Sequence, residues 1–191
     1  MVQIKYYSGY IRNYKKLCEE LGITLPLSRE DREQQILTKG FEKWGTAIVD
    51  HLYGAFAFAL SDGDKVYCFR DHVGQKQMFY TVAGGVFLCS GDIDEIASDS
   101  RVEKKLNRRM LQQYLFYGYP IGSETFYEGI YKLRPGHYAE SDGKTVTLTR
   151  YWKPVFEPDE SKFLSSLPLS ILNSCSILKI ISLQKAIIIL F

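Results

Sequence analysis

Residues 55–60 constrain the fold most. Ala55, Ala57 and Ala59 alternate with Phe56, Phe58 and Leu60, and this period of two defines a strand with one small face and one bulky face. Small side chains let another layer approach closely. Turn residues cut the surrounding sequence into hairpins: Asp62-Gly63-Asp64 leads into a strand at 65–70, and Ala83-Gly84-Gly85 joins a strand at 78–82 to one at 86–90. Pro135-Gly136 opens a strand from His137. Asp142-Gly143 then turns it into a return strand over 145–151, β-branched at alternate positions.

Helical periodicity fills the gaps. Tyr14, Leu17, Cys18 and Leu21 fall at i, i+3, i+4 and i+7 with Gly22 as a stop, which predicts a short amphipathic helix. A second helix begins between Ser28 and Asp31, places Ile36, Leu37, Phe41 and Trp44 on one stripe, and ends at Gly45. Shorter helical stretches cover 46–52 and 93–97, and Asn107 caps a helix whose Met110, Leu111, Tyr114 and Leu115 are expected to face inward. Strands grouped in hairpins with helices inserted between them indicate an α+β fold rather than a parallel α/β one.

With 191 residues, 46% hydrophobic and 14% aromatic, the chain can bury one real core and is too short for two comfortable domains. The formal charge is +2 and the body up to residue 162 is neutral, so there is no electrostatic footprint for nucleic acid or an anionic membrane. Cys18, Cys68, Cys89 and Cys175 show no metal or C-x-x-C spacing, and no basic stretch followed by an apolar run opens the chain. They read as small hydrophobes of a protein in a reducing, cytoplasmic compartment. His51, His72 and His137 have no Asp, Glu or Cys at ligand spacing, so no metal site is expected.

From Phe163 to Phe191 the composition shifts to Ile, Leu and Ser, without Gly, Arg, Asp or Glu. Pro168, Asn173, Lys179, Gln184 and Lys185 interrupt this stretch, whereas a membrane span needs about 20 mostly apolar residues. The expected organisation is one domain over 1–160 and an unrelated, non-native apolar tail over 161–191.

Six blocks in order, "YYSGYIRNYKKLCEEL", "FEKWGTAIVDHLYGAFAFALSD", "FRDHVGQKQMFY", "FLCSGDIDEI", "TFYEGIYKLRPGHY" and "RYW", resemble the class II glutamine amidotransferase domain of asparagine synthetases. The resemblance covers about residues 4–158 and none of the tail. It implies an N-terminal-nucleophile fold, with two facing antiparallel sheets between helical layers, here incomplete at its N-terminus. In that family a cysteine at the mature N-terminus attacks the carboxamide of glutamine, with its own α-amine as base. The ammonia released passes to a second domain that activates aspartate with ATP and Mg.

Against that pattern, position 2 is Val2 and the family's cysteine-bearing first strand has no counterpart before Ile4. The resemblance therefore implies a chain truncated at both ends, with no catalytic residue of its own. Cys18 cannot substitute, because it lies on the inward stripe of a helix and has no free α-amine. The family's Asn-Gly pair, whose donors form the oxyanion hole, aligns with Ser8-Gly9: Gly9 keeps its N–H, and Ser8 lacks the amide. The family's aspartate that holds the α-amino group of glutamine falls on Glu33, one methylene longer. Ser8, Gly9 and Glu33 are thus read as a vestigial glutamine site.

The Arg70-Asp71 pair near Gly74 also recurs in the family pattern and is read as organising the loop after a strand. Trp44 and Trp152 are read as packing residues. The Ser-Gly-Gly and Asp-Ser elements of the family's ATP half are missing from 151–191, and Gly84-Gly85 precedes a strand rather than a helix. This stretch of chain is therefore expected to hold neither ATP nor any other cofactor.

Two functions fit. In the first, the chain is the glutaminase-domain fragment of an asparagine-synthetase-like amidoligase, whose parent reaction turns aspartate, glutamine and ATP into asparagine and glutamate, and it is inactive alone. In the second, it is a nucleophile-less module that docks to a separate synthetase chain. A stand-alone hydrolase has no Ser, Thr or Cys at a mature N-terminus and no G-x-S-x-G elbow to support it.

Overall fold

A computed structural model describes residues 2–24 and 28–155. The residues up to Lys153 form one compact unit, and the tail expected at 161–191 lies outside the described residues. Along the chain run β1 (Val2–Ile11), α1 (Tyr14–Leu21), α2 (Arg29–Trp44), a 3-10 turn (Gly45–Ala47) leading into α3 (Ile48–His51), and the hairpin β2 (Gly54–Asp62) and β3 (Lys65–Arg70). The hairpin β4 (Phe79–Ala83) and β5 (Val86–Ser90) follows, then α4 (Ile93–Ala97), α5 (Arg108–Tyr117), the short β6 (Tyr131–Lys132), and the hairpin β7 (His137–Ser141) and β8 (Val146–Arg150).

The strands make two antiparallel sheets, one ordered β1-β2-β3-β7-β8 and the other β5-β4-β6. The alternation in β2 explains how they stack. Phe56, Phe58 and Leu60 join Phe69 of β3 in a core shared with Leu17, Ile36, Leu37, Phe41 and Ile48 of the helical layer. Ala57 and Ala59 face the other way and join Cys68, Ala139, Met78, Tyr80, Phe87 and Leu133 between the two sheets. Beyond the second sheet, Phe79 packs with Ile96 and Ala97 of α4. Each large apolar side chain removed from water in this way contributes roughly 1.5–3 kcal/mol before entropy is set against it. The layers are therefore helix, sheet, sheet, helix, the α+β sandwich expected from the hairpin pattern.

Local signals hold at the helix ends. Ser28 accepts the Asp31 N–H at 3.1 Å, Asn107 accepts the Met110 N–H at 3.1 Å, and Gly22 and Gly118 close α1 and α5 in the left-handed conformation. One expectation fails. Of the four residues expected to face inward on α5, only Met110 is buried; Leu111 is half-buried, Tyr114 is exposed, and Leu115 is 76% exposed. The 3.6-residue period marks an apolar stripe but does not say whether a neighbouring element covers it, and α5 is fastened by Met110 and by an edge-on contact of Tyr114 with Phe126.

Candidate functional site

The three residues of the expected glutamine site sit where the start of α2 crosses β1. β1 is the outer strand of its sheet among the described residues. Ser8 and Tyr10 stand opposite Ala57 and Ala55, and the Arg12 N–H donates to the Tyr53 carbonyl at 2.7 Å. Backbone groups alternate direction along a strand, so those of Tyr7, Gly9 and Ile11 point away from β2 toward the free edge.

The Ser28 cap fixes the first turn of α2, and Arg29 and Glu33, one turn apart, reach that edge together. Arg29 Nη2 donates to the Gly9 carbonyl at 2.6 Å, and the Ile11 N–H donates to Glu33 Oε1 at 3.2 Å. Arg29 Nε also donates to Glu33 Oε1 at 3.4 Å, and the Tyr7 hydroxyl donates to Oε2 at 2.8 Å. The pair supplies to β1 the donor and acceptor that a neighbouring strand would supply. Glu33 is 2% exposed, yet its carboxylate meets three donors, one of them charged. Burial, then the hydrogen bond to Glu33, pushes the Tyr7 phenol far above its ordinary range, so Tyr7 stays a donor.

Gly9 and Glu33 are thus linked through Arg29, which sequence reasoning passed over although its i, i+4 spacing from Glu33 is a local signal, whereas Tyr7, 26 residues away, carries no such mark. Ser8 is not in this network. Tyr6 packs in the layer between the sheets while Tyr7 and Ile11 pack in the helical layer, so Ser8 shares the face of Tyr6 and Glu33 approaches from the other. Gly9 has φ 133°, and a Cβ there would come within 2.1 Å of the Ala55 carbonyl oxygen, so the position accepts only glycine.

Cys18 and Cys68 are buried in the cores, with their thiols pushed upward by burial, and Cys89 on β5 is half-buried. None stands at the Glu33 network, and Cys175 lies outside the described residues. Among the described residues no three His, Cys, Asp or Glu side chains come together as a metal site, and no helix is long and apolar enough to cross a membrane.

Arg70 and Asp71 organise the following loop. The fully buried Asp71 carboxylate accepts the N–H groups of Val73, Gln75 and Lys76 at 3.2, 3.0 and 2.9 Å. Arg70 spans the same loop, donating to the carbonyls of Lys76, Gly74 and Leu133 at 2.7, 2.9 and 2.6 Å. Trp44 stacks on His51 with ring centroids 4.0 Å apart. Trp152 meets His72 edge-on and, with Tyr10, Arg12, Tyr53 and Gln75, lines a cleft of about 630 Å³ at the end of β1. No sequence motif pointed to this cleft, because its walls come from four separate segments. Burial lowers the His72 pKa, leaving an uncharged aromatic wall, and Arg12 lies over the Tyr53 ring at 5.9 Å.

Comparison with known proteins agrees with this geometry. The glutamine-hydrolyzing asparagine synthetase 3 of Bacillus subtilis is 28% identical over 160 residues, covering 82% of this chain and 26% of that protein. A Mycobacterium tuberculosis chain that bears the asparagine synthetase name is 31% identical over 161 residues, covering 78% and 24%. The chain thus spans about a quarter of the length of these relatives. Among solved structures, the glutamine phosphoribosylpyrophosphate amidotransferase of B. subtilis superposes with a TM-score of 0.52 over 81% of this chain and 30% of that one, at 12% identity, a likeness of fold alone. Residues 3–152 match the glutamine amidotransferase domain family, and the chain, with its two antiparallel sheets between helical layers, belongs to that family.

Proposed function

We propose that this chain is the amidotransferase-side unit of an asparagine-synthetase-like amidoligase and releases no ammonia from glutamine by itself. The parent reaction would convert aspartate, glutamine and ATP into asparagine and glutamate, with ATP and Mg handled outside this domain. Gly84-Gly85, the turn of the β4–β5 hairpin, leads into a strand rather than a helix and so lacks the helix N-terminus of a phosphate loop.

The observation that carries the reading is the state of Glu33. A glutamine α-ammonium would need this carboxylate, which is 2% exposed and already accepts from Tyr7, Ile11 and Arg29. To bind there, the ammonium must shed its water and sit beside the Arg29 guanidinium, a like charge that already pairs with Glu33 and holds the Gly9 carbonyl. Gly9 and Glu33 then serve the fold rather than a substrate.

The test is glutamate production from glutamine by the purified chain. No glutamate above the blank, and no rise in melting temperature at millimolar glutamine, is expected. Saturable glutamate release would overturn the reading.

The same buried, engaged carboxylate favours a second reading, a non-catalytic module that docks to a separate synthetase chain. Copurification with a synthetase encoded in the same genome would support it, and the absence of any complex at micromolar concentrations would sink it.

A further inference from the structure

Two cysteines that read in the sequence as small hydrophobes meet across the sandwich. Cys68 lies in β3 of the five-stranded sheet and Cys89 in β5 of the three-stranded one. Cys68 is fully buried between the sheets, and Cys89 packs against the same cluster. The register agrees: Cys89 stands opposite Tyr80, another residue of that layer, and residues paired across two strands share a face. The two thiols hydrogen-bond to each other, so their sulfurs are neighbours although they belong to different sheets. The in-register neighbours of Cys68 are Ala59 of β2 and Ala139 of β7. No bulky side chain beside Cys68 in its own sheet therefore holds the facing strand away.

We propose that Cys68 and Cys89 are an oxidation site, which a peroxide converts into a disulfide that staples the two sheets together. Cys89 is the point of entry, because it is half-buried and β5 is an outer strand of its sheet among the described residues. Burial raises the Cys68 thiol and keeps it protonated, so it reacts second. The Cys89 thiolate attacks one peroxide oxygen and the O–O bond breaks, leaving a sulfenic acid and hydroxide. The Cys68 sulfur then attacks the Cys89 sulfur, the S–O bond breaks, and the Cys68 proton leaves with the hydroxyl as water. Two thiols and one hydrogen peroxide become one disulfide and two waters. The Ala139 N–H, which donates to the Cys68 sulfur, favours the charge on it as it attacks. A disulfide holds its Cα atoms about 4.4–6.8 Å apart, closer than the roughly 10 Å between facing sheets. The strands must draw together locally, and the alanines beside Cys68 leave room for that. Antibody-type sandwiches bridge their sheets in the same manner. The staple is independent of whether the chain handles glutamine.

The test treats the whole chain, reduced and freed of reductant, with hydrogen peroxide under native conditions, blocks the remaining thiols by alkylation, and reads peptide masses and melting temperature. The expected product is a pair of peptides joined through Cys68 and Cys89. The melting temperature should rise by about 5–10 °C and return to its starting value with dithiothreitol. Cys68→Ala and Cys89→Ser should each abolish the rise; the peptide map of the unsubstituted chain carries the test if either variant fails to fold. Two free thiols after treatment overturn the proposal, as does Cys89 driven on to sulfinic or sulfonic acid while Cys68 stays a thiol. Cross-links that run through Cys18 or Cys175, or between chains, overturn it too. So does a bond between Cys68 and Cys89 that leaves the melting temperature unchanged or lower, because the sheets would then not be stapled by it.

Discussion

At Glu33 a charged side chain is held out of water by donors of three kinds: a phenol, a backbone N–H and a guanidinium. Removing the acceptor capacity strands the donors, and stranded buried donors cost more than the net value of the bonds they made. Glu33→Gln keeps the size but turns one acceptor oxygen into an NH2 that faces Tyr7 or Ile11. It should lower the unfolding free energy by about 2–3 kcal/mol in a urea titration; a change below about 0.5 kcal/mol would remove Glu33 from the fold's essential contacts.

Tyr7, at Glu33, and Tyr151, at the Arg70 carbonyl, give the fold a pH dependence. Burial raises both phenols, helped at Tyr7 by the bond to Glu33 and at Tyr151 by the field of Asp71. In the unfolded chain they ionise near pH 10, so their contribution is full below about pH 10 and is lost as pH climbs past it. The melting temperature should fall steeply from there upward, and Tyr151→Phe should flatten that fall while losing the 2.6 Å bond from its hydroxyl to the Arg70 carbonyl. An identical alkaline slope in the variant would show that other groups set it.

At the scale of elements, the relation of α2 to β1 decides how the sheet ends. An outer strand of ten residues without proline invites pairing with another chain, and Arg29 and Glu33 close its C-terminal half. Arg29→Ala opens the Gly9 carbonyl and should cost about 1 kcal/mol in stability. It should also raise thioflavin-positive aggregation on prolonged incubation. Unchanged aggregation would mean that the edge is guarded by something other than this side chain.

Sequence periodicity read the elements themselves well, because period two in 55–60 and the i, i+3, i+4 spacing in α1 and α2 are local properties that the strand and helix obey wherever they sit. It misjudged α5 because a stripe is local and its cover is not. It also passed over Tyr7 and Ile11 around Glu33, which lie 26 and 22 residues away from it in the chain, while Arg29, one helical turn before Glu33, was within reach of a sequence reading. Asn13 is a similar case: its side chain does not cap α1 but bridges to the His51 carbonyl and the Tyr53 N–H at 2.8 and 3.0 Å, pinning two distant junctions together. The candidate site is therefore legible only as far as the resemblance reaches, to the positions of Ser8, Gly9 and Glu33. What those residues touch required the fold.

For the molecule as a whole, the decisive dimension is the separation of the two sheets, set by Ala57, Ala59, Cys68 and Ala139 on one inner face against Met78, Tyr80, Phe87 and Leu133 on the other. Facing sheets usually sit about 10 Å apart with side chains of mixed size between them. Here the buried residues of the five-stranded sheet are all small and those opposite are all large, so the fit at the centre depends on the alanines staying small. Ala59 is fully buried in the middle of β2, between Tyr6 of β1 and Cys68 of β3 in register. Leucine there has no free volume to enter and must push the sheets apart, at a cost of about 1–3 kcal/mol or more. The large side chains opposite offer the complementary change. Met78→Ala alone should cost about 2–5 kcal/mol through the cavity it leaves. If Ala59 and Met78 share one space, the double variant Ala59→Leu, Met78→Ala should lose less than the sum of the two, by about 1 kcal/mol or more. Strict additivity in urea titrations would show that the inner layer relaxes locally around each site, and that the alanine face is not what holds the sheets at their distance.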